Sequence, residues 1–252
     1  MAPLRFALQL YSVRDHLESD PAGTLKRVKE AGYDYVETAG TAGLSPADFK
    51  TLADEAGVRI ISAHIGYDEV AADLPAVLEA LRTFGLKYAV VPWIGTEMCP
   101  DKAAWLTAAQ KLDEVGAAMR AQGIRLCYHN HDHEFRTQYN GETVFDLLFA
   151  NTAPQHLAVQ LDAGWAKVAG KSPEGIIRRY GTRLPLLHIK DFRREDPPEV
   201  TEIGKGVVDW DPVFAAGRET GVDWYIVEQD ESDTDSLESA AENARYMASR
   251  QS

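Results

Sequence analysis

Cysteine is scarce in this chain: Cys99 and Cys127 are the only two in 252 residues, too few for a disulfide-stapled fold. Cys127 lies in an apolar run, which predicts a reduced core thiol. No apolar stretch approaches the roughly 18 residues needed to span a bilayer, and the chain enters Arg5-Phe6-Ala7-Leu8-Gln9-Leu10 without a secretory hydrophobic region. A soluble cytoplasmic protein with no membrane partner is expected. Basic residues are in deficit, 26 against 39 acidic ones, and the net charge of -13 is spread along the chain. That balance opposes a general nucleic-acid surface. No composition break marks a boundary, so one domain covering residues 1–252 is expected. A glycine-rich phosphate turn is also missing, since Gln9-Leu10-Tyr11-Ser12-Val13 contains no glycine, and this disfavours an open doubly wound sheet.

What glycine there is falls at regular junctions. Gly32, Gly57, Gly85, Gly123, Gly181 and Gly221 each follow a stretch of helical apolar spacing and precede a short β-branched or aromatic run. This suits a left-handed helix C-cap leading into a strand. The opposite junctions carry Asp20-Pro21, Ser45-Pro46, Ser172-Pro173 and Asp211-Pro212, each a capping side chain before a proline suited to the first helical position. The pattern predicts strands at about 6–10, 35–38, 59–64, 88–92, 125–129, 157–161, 184–189 and 224–228. Helices are expected at about 22–31, 46–56, 74–84, 102–122, 143–150, 173–180, 212–220 and 236–249. Eight strands alternating with eight helices in roughly 250 residues give an α/β fold, a single (β/α)8 TIM barrel. The irregular segment from Asp191 to Asp211 is expected to be a long loop at the functional face, where Gly204 and Gly206 would let the backbone approach a ligand.

In such a barrel the carboxyl ends of the strands surround the active site. Here they carry Gln9 and Tyr11, Glu37, His64, Trp93, the run His129-Asn130-His131-Asp132-His133-Glu134, Asp162 and Trp165, His188 and Lys190, and Glu228 and Gln229. A lone polar residue at a strand end is most often a hydrogen-bonding group. Ionisable ligand types at the ends of consecutive strands, each after an apolar run, are costly unless paired or bound to a cation. A carboxylate and imidazole set without thiolate favours Mn²⁺, Mg²⁺ or Co²⁺, with Zn²⁺ also compatible.

The motifs Leu8-Gln9-Leu10-Tyr11-Ser12-Val13-Arg14-Asp15, Ser62-Ala63-His64, Val91-Pro92-Trp93, Tyr128-His129-Asn130-His131-Asp132-His133-Glu134-Phe135, Leu161-Asp162-Ala163-Gly164-Trp165, His188-Ile189-Lys190-Asp191 and Ile226-Val227-Glu228-Gln229-Asp230 occur in this order. Together they resemble the sugar phosphate isomerase/epimerase family of xylose-isomerase-like TIM barrels. The resemblance implies one divalent ion, Mn²⁺ first, held by Asp162, His188 and Glu228. Glu134 is the choice for the remaining ligand, with His129 or His131 as substitutes. It further implies an isomerase or epimerase acting on a keto-sugar or related polyol through a metal-stabilised enediolate. A lyase or dehydratase acting on a keto-inositol or keto-glycoside would use the same site, and a catalytically silent sugar-binding barrel is the reading from another class. A repair endonuclease of the same barrel type would need more metal ligands and a basic groove.

Glu134 and Glu228 are the expected acid–base pair, followed by His131 and Lys190. Tyr11, His64, Trp93, His129, Asn130 and Trp165 are the expected substrate contacts, the tryptophans as platforms for a sugar's C–H face. The partner is then a small sugar, and family relatives suggest a homo-oligomer.

Overall fold

The computed structural model describes residues 4–250. Strands β1 (Phe6–Gln9), β2 (Tyr35–Ala39), β3 (Arg59–His64), β4 (Tyr88–Val91), β5 (Arg125–His129), β6 (Leu157–Asp162), β7 (Leu186–Ile189) and β8 (Trp224–Val227) pair in parallel and in chain order. The ring closes where β8 meets β1, with Phe6 opposite Tyr225 and Leu8 opposite Val227. Around it lie α1 (Pro21–Glu30), α2 (Pro46–Ala56), α3 (Leu74–Phe84), α4 (Lys102–Arg120), α5 (Val144–Ala150), α6 (Pro173–Tyr180), α7 (Trp210–Thr220) and α8 (Ser236–Ser249). This is the (β/α)8 TIM barrel expected from the sequence.

The local chemistry explains most boundaries. Asp20, Ser45 and Ser172 accept hydrogen bonds from the N–H groups of Gly23, Asp48 and Gly175, each ahead of a first-turn proline. At α7 the cap is Asp209, not Asp211: its carboxylate accepts from the Asp211 N–H, and the helix begins two residues earlier than expected. Proline is tolerated anywhere in a first turn, because none of those N–H groups has an intrahelical partner. Gly57, Gly85 and Gly221 adopt the left-handed cap. Gly181 does not; its φ of 51° is combined with ψ of -128°, and it opens a 3-10 turn instead.

Strand alternation divides the apolar residues into two layers. Leu8, Val36, Val91, Tyr128, Val159, Leu161, Leu187 and Val227 face outward and pack under the helices. Ala7, Tyr88, Val90, Cys127, Ala158, Leu186 and Ile226 fill the barrel interior. Two residues further along, five of the inward series turn polar: Ala7 gives way to Gln9, Cys127 to His129, Ala158 to Gln160 and then Asp162, Leu186 to His188, and Ile226 to Glu228. The barrel is therefore apolar at one end and charged at the other, which places the chemistry at the carboxyl ends.

The 191–211 segment is more ordered than a loop. It begins as an antiparallel hairpin of Asp191–Glu195 and Pro198–Thr201. The chain then folds back around the buried Asp191 carboxylate, which accepts from the backbone N–H of Gly204 and Gly206 and from Trp210 Nε1. A Cβ on Gly206 would lie 2.2 Å from that carboxylate. Gly206 thus permits close approach to Asp191, and the expected ligand role of the two glycines is replaced by an internal anchor. Hairpin pairing was obscured in the sequence by the charges of Arg193, Arg194 and Glu195, which face outward here.

Candidate metal centre and active site

Glu37 is the hub of the polar end. Its side chain is fully buried in β2 and accepts from Gln9 Nε2 at 2.8 Å, Ser62 Oγ at 2.5 Å, Gln160 Nε2 at 2.7 Å and His188 Nε2 at 2.7 Å. His64 Nε2 lies 2.9 Å away. Burial alone would raise the Glu37 pKa, but the charges and hydrogen bonds of His64 and His188 outweigh it and hold the carboxyl well below the usual range.

His188 is gripped from both sides, since its Nδ1 lies 2.9 Å from Glu228 Oε2. Burial acts to neutralise it, yet Glu228 and Glu37 win and raise its pKa to about 10. Lys190 is equally buried, with Nζ 3.0 Å from Glu228 Oε2, 2.9 Å from Asp230 Oδ2 and 3.6 Å from Asp162 Oδ2. Its burial is likewise outweighed, first by Asp230 and then by Glu228 and Asp162, and it stays a firmly held ammonium.

The Gln160 amide fixes the state of His129. Glu37 can only accept, so the Gln160 Nε2 faces it and Oε1 points the other way, 3.0 Å from His129 Nδ1. Nδ1 must then carry the proton. Burial, followed by the neighbouring His188 and His131, holds the imidazole neutral. Its Nε2 lone pair consequently points 3.9 Å from Asp162 Oδ2. That oxygen is buried and has no hydrogen-bond partner among the described residues. Burial raises the Asp162 pKa to about 6, against the pull of Lys190 and His188.

Two acceptors therefore face each other with no donor between them. One ligand atom from each of His129, Asp162, His188 and Glu228 falls within a group no wider than 4.8 Å, on β5, β6, β7 and the end of β8. Carboxylates and imidazoles converging on one point suit a divalent ion, and a cation would satisfy both the Nε2 lone pair and the stranded oxygen. The Gln160 bond to His129 and the Glu37 bond to His188 are the outer contacts that orient ligating imidazoles.

Glu134 lies outside this group. It is fully buried, accepts from Tyr128 Oη at 2.7 Å and from the His131 N–H at 2.8 Å, and does not line the cavity. His129, one of its expected substitutes, stands in the group in its place. The turn after β5 directs Glu134 back beneath the strand end, where it shapes the 129–133 loop. Burial, opposed by those hydrogen bonds, raises its pKa to about 7. The unfolded chain releases this proton near its ordinary value while the folded chain keeps it, so stability falls as pH rises between about 4.5 and 7. Glu134→Gln is expected to flatten that fall by on the order of 2–3 kcal/mol relative to wild type, measured by urea unfolding at pH 5 and pH 8.

A cavity of about 660 Å³ opens onto the site, bordered by Tyr11, His64, Trp93, His129, His131 and Glu228 among others. Tyr11 and Trp93 are 44% and 43% exposed, free to meet a ligand at the rim. His131 packs edge-on to Trp93 at 4.8 Å and is neutral through burial and the nearby Lys190 charge. Trp165 is half-buried and packs at a tilt against His131 and Phe192, outside the residues that border the cavity. Asn130 is buried, and its side chain is spent on the Asp162 backbone, accepting from that N–H at 3.1 Å.

A family model described as a xylose isomerase-like TIM barrel matches residues 25–250. The chain belongs to this family. An inosose dehydratase of Lacticaseibacillus casei is 26% identical, the match covering 86% of this chain and 85% of that protein. A sugar phosphate isomerase/epimerase of Parabacteroides distasonis superposes with a TM-score of 0.84 at 23% identity, covering 96% of each chain. A xylose isomerase-like barrel of Mycobacterium smegmatis, solved in complex with magnesium, superposes with a TM-score of 0.72 at 18% identity over 100% of this chain and 97% of that one. Family membership and the buried His/Asp/Glu group together make this a sugar-enzyme barrel with a site suited to a divalent metal. Among the described residues no helix is long and apolar enough to cross a membrane.

Proposed function

We propose that the protein is a dehydratase of a neutral keto-inositol or keto-sugar, with His129, Asp162, His188 and Glu228 holding a divalent ion. The observation that carries this is the facing pair of acceptors, His129 Nε2 and Asp162 Oδ2, beside a cavity that presents a neutral histidine. Kinship with an inosose dehydratase favours elimination over the isomerisation that the sequence motifs alone suggest. When bound, the ion would supply Lewis acidity to the substrate's carbonyl and adjacent hydroxyl.

The chain's own residues do the rest. His131 is neutral and borders the cavity, so its imidazole takes the proton from the carbon next to the carbonyl. The same imidazolium returns that proton to the hydroxyl leaving the neighbouring carbon, giving an enone and water and restoring the neutral base. Glu134 accepts from the His131 N–H and acts as a positioning residue. Lys190 is held too tightly to release a proton; it balances Glu228, Asp230 and Asp162. Trp93 and Tyr11 offer aromatic faces to the ring's C–H bonds.

The test is incubation with a keto-inositol and Mn²⁺ or Mg²⁺ in deuterated water, read by mass spectrometry. Loss of one water is the expected result. A product of unchanged formula carrying solvent deuterium would assign isomerisation instead, and an unaltered substrate would overturn both.

A further inference from the structure

A second, largely apolar cavity of about 320 Å³ lies beside the first, between the ends of β2 and β3 and the helices α2 and α3. Its walls include Ile65, Ala76, Val77, Ala80, Leu81 and Phe84. Gly40, His64 and Glu69 border both cavities, so the groove continues from the catalytic space. The junction is low: Gly40 has φ of +87°, and a Cβ there would meet nothing within 4 Å. On the α3 side Ala76 and Ala80 are the small residues among the larger Val77, Leu81 and Phe84, and they keep the groove open.

A bare cyclic polyol has hydroxyls in every direction and no group that gains from an apolar wall. An aryl or alkyl group does gain, at about 25 cal/mol per Å² removed from water. Glu69 at the shared border repels a phosphate or carboxylate, and the catalytic cavity is further lined by Glu228, Asp230 and Glu231 with Arg14 as the lysine- or arginine-type cation among the described lining residues. Arg14 already donates to the backbone carbonyls of Tyr11 and Asp230.

We infer that this groove is a substrate subsite for an uncharged apolar substituent, so that the natural substrate is a keto-ring carrying an aryl or alkyl group. The inference rests on the proposed function for the placement of the ring, and its test reads binding alone.

The probes are phenyl β-D-glucopyranoside and methyl β-D-glucopyranoside, titrated by calorimetry into the full chain loaded with Mg²⁺. The phenyl compound is expected to bind at least about tenfold more tightly, the gain from burying one ring. Ala80→Phe fills the groove and should reduce that ratio to about threefold or less. Ala76→Leu narrows the same groove from a more exposed position and should lower the ratio as well, which guards against a folding defect in the first variant. Equal affinities in wild type, no binding of the phenyl compound, or an advantage that survives both substitutions would overturn the subsite. Failure of dehydration with the phenyl preference intact would instead count against the proposed reaction and leave the groove standing.

Discussion

Asp162→Asn is expected to abolish metal binding while leaving the metal-free protein at least as stable as wild type. The two effects have separate causes. Asp162 Oδ1 accepts from the Trp165 N–H at 2.8 Å and starts the short helix Ala163–Val168, and asparagine can keep that bond. Oδ2 is the stranded oxygen opposite the His129 lone pair. An amide there brings an N–H to the mismatched pair and removes a buried negative charge, so the metal-free fold gains or is unchanged. A divalent ion, by contrast, loses an anionic ligand.

Wild-type protein purified without added metal should contain about one equivalent of ion by mass spectrometry, and the variant essentially none. With ion at about a hundredfold over its Kd, wild type should gain about 2.7 kcal/mol, or about 5–10 °C in Tm for a chain of this size, and the variant nothing. The double variant Asp162→Ala, His188→Ala should also be empty. A Tm gain that persists in Asp162→Asn would place the ion elsewhere.

How much of this was legible in the sequence depends on whether the signal was local. Asp162, His188 and Glu228 stand at the ends of apolar runs, and strand periodicity alone puts them on one rim. His129 was visible for the same reason, but a histidine-rich stretch offers several ligands and the backbone chooses among them. The turn after β5 carries Glu134 into a buried bond with Tyr128, a contact that no spacing rule announces. Glu37 was harder still. It precedes Thr38 and Ala39 within its own strand and has no local partner; its donors come from β1, β3, β6 and β7. The one available hint was a carboxylate inside a strand, two residues past the inward-facing Tyr35. The Asp191 anchor shows the same limit, because all its donors but the adjacent Phe192 N–H lie 13 to 19 residues downstream.

Glu37→Ala is expected to be the most damaging single substitution for stability, although Glu37 is not in the metal-ligand group. Its carboxylate is the common acceptor for Gln9, Ser62, Gln160 and His188, all in the dry interior. Removing it strands several donors at once and leaves the His188 cation with Glu228 as its remaining carboxylate contact. Breaking a buried charge pair from one side costs about 3–5 kcal/mol, and the unpaired amides and hydroxyl add to that. In a chain of this size the Tm should fall by about 6 °C or more.

Glu37→Gln separates charge from shape. It keeps one acceptor oxygen but turns an N–H₂ toward groups that are themselves donors, so it should recover only a minor part of the loss. The decisive comparison is metal affinity in whichever variant stays folded. Without Glu37 the His188 ring loses the outer contact that orients it, and ion affinity should drop by about 10- to 100-fold. Unchanged affinity would mean that His188 is positioned by Glu228 alone and that Glu37 serves the fold without tuning the site.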